Sequence, residues 1–388
     1  MRHFPSGNAT FRFVSAEATG GVMSVLVKRV ALSVPVAVFL SLVLVSTTLA
    51  AHTWSVRIPM SSSTALGDGV VALNATTVLT VYEEWTSSTS NATLKVRRST
   101  NSGARWGAPK MLSTDAYTAA IAALDPFVDV VWSEKGRVRY ARSVDGGLTY
   151  APSVALSPKG GSAANLSVAR GAGNAVVIAW EDFDKGAASA RVSTDGGVNF
   201  GAITNFASAD ADLGTTVAVG SGVIYLAYKS DFQDLQVVRS TSSGTTWGSP
   251  TTITTNGLGE TFQQYLTASG ATAYVAFVDR NAFKSGGTIR YRVTKNAGAT
   301  WGSARQLSPA KWVVEYPRIE LRDGVLRVAY GRQTSTAYSV YYEQTKDGVD
   351  WSTPEVVDPD ALAPYVTYAG KIIVTVQTHG ADYVRTGT

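Results

Sequence analysis

A short turn, written six times at a nearly constant interval, constrains this chain more than any other feature. The copies are RSTNSGARWGAP (98–109), RSVDGGLTYAP (142–152), VSTDGGVNFGA (192–202), RSTSSGTTWGSP (239–250), TKNAGATWGSA (294–304) and TKDGVDWSTP (345–354). Each places a Ser or Thr before a turn of Asp, Asn, Ser and Gly, then an aromatic, then in most copies a small residue or Pro. The aromatics, Trp106, Tyr150, Phe200, Trp247, Trp301 and Trp351, are separated by 44, 50, 47, 54 and 50 residues. A turn kept at such a period belongs to a repeated supersecondary unit.

Between turns the chain repeats one pattern. A first apolar strand such as LSVAR (166–170) is followed by a second that ends in an aromatic, as in AVVIAW (175–180), VIYLAY (223–228), TAYVAF (272–277) and VLRVAY (325–330). A third strand alternates, as in GRVRYARS (136–143), and a fourth, such as APSVAL (151–156), follows the turn. Short alternating strands between Gly, Asp and Asn turns are hairpin signals. Four of them per 45–50 residues make one propeller blade. The C-terminal unit, PYVTYAG (364–370), KIIVTVQ (371–377) and ADYVRTGT (381–388), supplies three strands and stops. HTWSVRIPM (52–60) carries the same Thr-Trp as GATWGSA and reads as the missing fourth strand. The expected fold is all-β, a seven-bladed propeller whose terminal strands pair and leave no sheet edge open.

Composition narrows the function classes. Residues 1–50 hold four basic residues and one acidic, so the nominal charge of +5 leaves 30 basic against 28 acidic residues in the remainder. That is no footprint for nucleic acid. Without cysteine there are no disulfides, thiol nucleophiles or Cys metal sites, and with His52 and His379 alone beyond residue 50 no His-rich centre is expected. No metal or cofactor is expected. Lys28-Arg29 precede an apolar run, 30–50, ending in small residues suited to signal cleavage near Ala50 or Ala51. The division expected is therefore 1–51 as an N-terminal extension with a signal peptide, and 52–388 as the propeller. The run is also long enough to remain as a membrane anchor, the alternative reading. Met23 would make a more ordinary start than Met1.

Ser-x-Asp-x-Gly-x-Thr-Trp is the Asp-box (BNR) motif, and residues 52–388 resemble the Asp-box propellers of the sialidase superfamily. The fuller copies are Ser143-Val144-Asp145-Gly146-Gly147-Leu148-Thr149-Tyr150 and Ser193-Thr194-Asp195-Gly196-Gly197; others carry Asn101, Ser242 or Asn296 in the Asp position, and the Asp347 copy is one residue short. Asp, Asn and Ser can all accept hydrogen bonds from the amides of their own turn, whereas only Asp could serve as an acid or metal ligand. The box therefore reads as a fold staple, between the third and fourth strands, on the face opposite the expected site.

The site is expected where the loops joining second to third strands meet the starts of the inner strands. The first set holds Glu83, Glu84, Glu134, Glu181, Asp182, Asp279, Arg280, Arg332 and His379; the second holds Asp68, Asn165, Gln264, Arg318 and Tyr365. Carboxylates, amides and ring faces around a channel mouth suit a sugar. Arg318, directly after Pro317, is the best single candidate for bidentate capture of a carboxylate. The resemblance implies, for an enzyme of sialidase type, six blades, three arginines from separate blades, a Tyr nucleophile with a Glu, and an Asp acid; Arg318, Tyr365 and Asp68 are the residues that could take those roles. Arg57-Ile58-Pro59 matches the family's Arg-Ile-Pro but falls on the outermost, ring-closing strand. The leading expectation is a secreted, monomeric, non-catalytic module that binds a glycan or an extracellular protein, with Glu84, Asn165, Glu181, Asp182, Gln264, Asp279, Arg280 and Arg332 around the ligand. An exo-α-sialidase is the alternative.

Overall fold

The structure, a computed structural model, describes residues 13–19, 22–28, 51–61, 64–85, 92–207, 214–230, 234–254, 259–281, 287–309, 312–378 and 381–388, with side chains placed except at 13–28, 207, 259–262 and 280–281. The apolar run 30–50 and His379 lie outside the described residues, as does the side chain of Arg280. By internal contacts the chain falls into two units, Met1–Thr48 and Leu49–Thr388. The first contains a hairpin of β1 (Phe13–Thr19) and β2 (Val22–Lys28).

The second unit is all antiparallel sheet. β3 (Ile58–Pro59) is set aside until the chain's end. A seven-stranded sheet follows: β4 (Thr64–Ala72), β5 (Val78–Trp85), β6 (Ala92–Ser99), β7 (Lys110–Leu124), β8 (Phe127–Glu134), β9 (Arg137–Ser143) and β10 (Val154–Ala155). Its long β7 pairs with β6 through Lys110–Ala116 and with β8 through Tyr117–Leu124, so one strand serves two neighbouring groups of four. Four-stranded sheets then succeed one another. They are β11 (Ala163–Arg170), β12 (Val176–Asp182), β13 (Ala187–Ser193) and β14 (Thr204–Ala207); β15 (Thr216–Gly220), β16 (Val223–Ser230), β17 (Asp234–Ser240) and β18 (Thr251–Thr252). Next come β19 (Gly259–Ser269), β20 (Thr272–Asn281), β21 (Gly287–Thr294) and β22 (Arg305–Gln306), and β23 (Val313–Arg322), β24 (Val325–Gln333), β25 (Tyr338–Thr345) and β26 (Glu355–Asp358). The last sheet orders β27 (Leu362–Tyr368), β28 (Ile372–Thr378) and β29 (Ala381–Gly387) with β3. Among the described residues the helical content is one 3-10 turn, Ala172–Asn174, and no helix is long and apolar enough to cross a membrane.

The N-terminal segment completes that last sheet. Tyr383 pairs with Pro59 and Val384 with Ile58; Thr53 and Thr388 exchange backbone hydrogen bonds of 3.1 and 3.2 Å. Arg57 grips the fully buried Asp358 through Nε (2.8 Å) and Nη2 (2.6 Å), tying the strand to β26 of the preceding sheet. A fork-to-fork pair of this kind is directional as well as strong.

Apolar second strands and alternating third strands follow from where they sit. Val176 to Trp180 of β12 are all buried, because both faces of a middle strand are covered by neighbouring sheets. β9 alternates, with Val138 and Tyr140 inward and Arg137 and Arg139 half-exposed. The clusters between sheets follow one another around the molecule, and each takes one aromatic from a repeated turn. Tyr150, Phe200, Trp247, Trp301 and Trp351 pack on the clusters between their own strand group and the one before it. Trp54 fills the next against Tyr342 (centroids 5.6 Å apart, edge-on), and Trp106 fills the cluster joining Val70 and Val78 to Ile373 and Val384. That last cluster joins the first strand group to the last. Each such plug buries apolar area worth about 1.5–3 kcal/mol.

The turns themselves are built alike. In the Asp145 copy, Ser143 Oγ accepts from the Gly147 amide (2.8 Å), and Asp145 Oδ1 accepts from the amides of Leu148 (3.0 Å) and Thr149 (2.8 Å). Asn101 accepts from Arg105 N–H (2.8 Å), Ser242 from Thr246 N–H (2.9 Å) and Asn296 from Thr300 N–H (3.0 Å). In the copy one residue short, Asp347 reaches Val349 (2.7 Å) and Asp350 (2.9 Å) instead. Gly147 sits at φ 82° with the Leu79 side chain where a Cβ would go, so only glycine serves there.

Candidate functional site

Six of the strands that open a group, all but β15, are irregular near their starts. Pairing slips between Gly67 and Gly69, Tyr117 and Ala119, Ala164 and Ser167, Phe262 and Tyr265, Glu315 and Arg318, and Leu362 and Tyr365. At five of these six slips stands a left-handed residue, Thr118, Asn165, Gln263, Tyr316 and Ala363, with φ of 47–55°; the slip in β4 has none, and β15, whose pairing does not slip, is preceded by Gly214 at φ 89°. Non-glycine residues hold that conformation only when surroundings fix it. Here the fixing groups are side chains of the preceding strand group. Glu181 accepts from the Gly214 amide, Glu83 from Thr118, Asp382 from Gly67, and Gln263 Oε1 from Tyr316 N–H at 2.5 Å. A Cβ on Gly67 would lie 3.1 Å from Asp382 Oδ2, so the carboxylate would have to shift by a few tenths of an ångström to admit one.

The bulges re-aim the residue that follows them. After their slips, β19, β23 and β27 present Tyr265, Arg318 and Tyr365 at one level of three successive inner strands. The Arg318 guanidinium lies between the two rings, 5.1 Å from the Tyr265 centroid and 4.5 Å from that of Tyr365. Nη1 donates to the Pro317 carbonyl (3.2 Å) and Nη2 to Tyr365 Oη (3.4 Å), while Nε is buried without an acceptor. Among the described residues no carboxylate pairs with Arg318. Burial pushes the Tyr265 phenol up to about 12, so it stays neutral beside the cation. Two residues along β23, Glu320 accepts from Thr367 Oγ1 (2.7 Å), and its other oxygen is unpartnered. Burial lifts its carboxyl to about 7, against the pull of Thr367, Arg322 and Arg327.

A second group lies where the first strand group meets the last. Asp68, Glu83 and Asp382 interact, and each keeps one buried oxygen without a partner. Burial raises Glu83 to about 8 and Asp382 to about 7; burial together with its two acidic neighbours raises Asp68 well above the usual carboxylate range. Desolvation and like charge both favour the neutral acid, so Glu83 keeps its proton at neutral pH and Asp382 keeps it about half the time.

The other expected residues are engaged in smaller sets. Asn165 Nδ2 donates to Glu181 (2.6 Å), and Gln264 donates to the Gly214 carbonyl, forming one polar network at the mouth. Glu84 is spent on Lys95, Asp279 on Arg290 (2.9 Å), and Asp182 on Lys185 (2.9 Å). The Arg332 guanidinium covers Trp312 at 3.9 Å and donates to Tyr341 Oη (3.1 Å). Arg57, on the outer strand, is held by Asp358. Reading by residue type passes over Tyr265, Glu320 and Asp382; the signal available was the repeat register, which sets Tyr265, Arg318 and Tyr365 at equivalent positions.

No protein-family model matches the chain, and no curated protein matches it in sequence. Solved structures do share its shape. An ulvan lyase of a polysaccharide lyase family is similar over 84% of this chain and 95% of its own, with TM-score 0.59 and 8% identity. A Dyadobacter fermentans protein of unknown function is similar over 87% and 99%, with TM-score 0.52 and 9% identity. The Trypanosoma rangeli sialidase aligns over 74% of this chain and 57% of its own at TM-score 0.49 and 13% identity, too distant to support any argument. The first two likenesses establish the fold alone, and with the topology above that fold is a β-propeller.

Proposed function

We propose that this chain is an exported, seven-bladed Asp-box propeller that binds an acidic glycan at the mouth of its channel without cleaving it. The seven-stranded sheet is taken as two blades sharing β7, a reading supported by the seven inter-sheet clusters, each with one aromatic plug. The observation that carries the functional reading is Arg318: a guanidinium between two tyrosine rings, with no carboxylate to neutralise it and a free Nε. A cation so placed is poised for an anionic group, and the flanking rings suit a sugar face. Glu83, raised to about 8, keeps its proton at neutral pH, and Glu320, raised to about 7, keeps it about half the time, so these acids offer hydroxyl-like donors and less repelling charge than ordinary carboxylates. One fold neighbour is an ulvan lyase bound to GlcA(1-4)Rha3S, an acidic glycan, which makes this ligand class a sensible first trial.

The sialidase-type alternative draws on Asp68, whose hold on its proton is strengthened by burial and by Glu83 and Asp382, as an acid would need. Against it, Arg57 and Arg332 are each held by partners of their own. The test is a binding screen of uronate- and sialate-containing oligosaccharides alongside a fluorogenic sialoside assay. Saturable binding lost in Arg318→Ala, with no turnover, is expected; turnover abolished by Arg318→Ala would establish the enzyme instead. Export rests on the run 30–50, and the mass of the mature protein recovered from culture medium tests it.

A further inference from the structure

On the same face as the loops joining second to third strands, but away from the inner strands that carry Arg318, lies a recess of about 180 Å³. It is formed by the crossover from β10 to β11, residues 156–162, and by the β12–β13 loop. Its volume corresponds to roughly six liquid-water volumes, the scale of one sugar ring rather than of a drug-sized ligand. Backbone fixes its shape. Phe183 N–H donates to the Ser162 carbonyl (3.2 Å), Ala163 N–H donates to that of Gly136 (3.0 Å), and a Cβ on Gly136 would collide with the Gly161 oxygen.

The polar groups around this recess are left unfinished. Trp180 is fully buried beneath it, and its Nε1–H has no acceptor; Ser162 Oγ is likewise buried without a partner. A buried donor left unpaired costs on the order of 1–3 kcal/mol, so two beside one recess point to something that completes them. The charges there balance: Asp182 is paired with Lys185, and Asp184 Oδ2 stands 3.7 Å from the Cβ position of Gly161, with Lys159 also on the wall. Balanced charge disfavours an anion or a metal ion, and a mixture of carboxylate acceptors with hydroxyl and indole donors matches vicinal hydroxyls. We infer that this recess is a second binding site, for a neutral pyranose or pentose residue, recognised by Asp184, Ser162 and Trp180 independently of the channel mouth.

The experiment uses the folded full-length protein, titrated with neutral monosaccharides (arabinose, galactose, glucose, rhamnose) and observed by saturation-transfer NMR and by the indole N–H resonance of Trp180. Asp184 is exposed, so Asp184→Ala leaves the fold intact, which a melting curve verifies. The expected result is saturable binding of at least one sugar that shifts the Trp180 resonance, weakens about tenfold or more in Asp184→Ala, and is unchanged in Arg318→Ala. The proposal is overturned by no saturable binding from any of these sugars, or by binding that Asp184→Ala leaves untouched. Loss in Arg318→Ala alone would assign the sugar to the channel mouth and equally overturn it.

Discussion

The two ends of the same strands treat a carboxyl group in opposite ways. At the repeated turns, Asp195 and Asp347 are exposed and Asp145 partly so, and all three accept hydrogen bonds from hydroxyl groups and backbone amides, which hold Asp195 and Asp347 near 2 and Asp145 lower still. At the mouth, Glu83 and Asp382 are buried and Asp68 and Glu320 half-buried, all short of donors; desolvation raises Glu83 to about 8, Asp382 and Glu320 to about 7, and Asp68 well above the usual carboxylate range. Residue type is shared; donor supply and water access differ. The first arrangement makes a fixed anion whose work is to close a turn. The second makes acids that hold their protons to far higher pH, one of them, Glu320, two residues along the strand from the unneutralised Arg318, a surface suited to a ligand that brings its own negative charge.

The comparison can be broken most severely at Arg318. Arg318→Ala should lower affinity for an acidic oligosaccharide by about a hundredfold, the scale of a lost charge-assisted bidentate contact, with the melting temperature little changed; calorimetric titration measures both arms. Next in size is the packing that both ends share. Trp106 is half-buried, so Trp106→Ala should destabilise the fold by about 1.5–2.5 kcal/mol, below the roughly 2.7 kcal/mol of a hundredfold affinity loss, by opening the packing between first and last strand groups, read in denaturant unfolding.

The pH dependence sharpens the contrast directly. Carboxyls in the unfolded chain titrate near 4, whereas Glu83 and Asp382 in the fold titrate near 8 and 7. Because the folded state binds these protons more tightly, their contribution is fully present below about pH 4 and is lost as pH rises through 7–8, by up to ~1.4 kcal/mol per pH unit for each proton. Asp382→Asn, a permanent mimic of the neutral acid, should flatten that decline. The turn acids have the opposite sign: their contribution is present above about pH 4 and lost as pH falls toward 2. The smallest expected effect is there. Asp145→Asn should melt close to wild type at neutral pH, since Asn101 and Asn296 already close equivalent turns, while Asp145→Ala should melt lower.

The repeat was legible because its causes are local. A Ser or Thr, a turn acceptor, a glycine at positive φ and an aromatic plug are all written within eight residues, and the Thr-Trp of 53–54 marked the strand that pairs with β29. Arg318 was legible as an arginine following Pro317 at an inner-strand start. Less legible was its company: Tyr265 and Tyr365 lie 53 and 47 residues away, and only the bulge register brings their rings onto the guanidinium. The fates of Glu84 and Asp279 were hidden for a related reason. Whether a carboxylate past a strand end faces a ligand or a neighbouring Lys95 or Arg290 depends on cross-strand pairing that residue type does not encode. Asp382 sits in a strand, outside the loops where ligand groups are usually sought, and serves the start of β4 from the far end of the chain.

The most direct measurement compares one ligand with and without its charge. Wild-type protein is titrated calorimetrically with an oligogalacturonide and with the methyl ester of the same oligosaccharide. The acid should bind saturably and the ester at least tenfold more weakly, with Arg318→Ala binding both as weakly as wild type binds the ester. Equal affinity of wild type for acid and ester, or undiminished binding by Arg318→Ala, would contradict the assignment of Arg318 as the anion-recognising group.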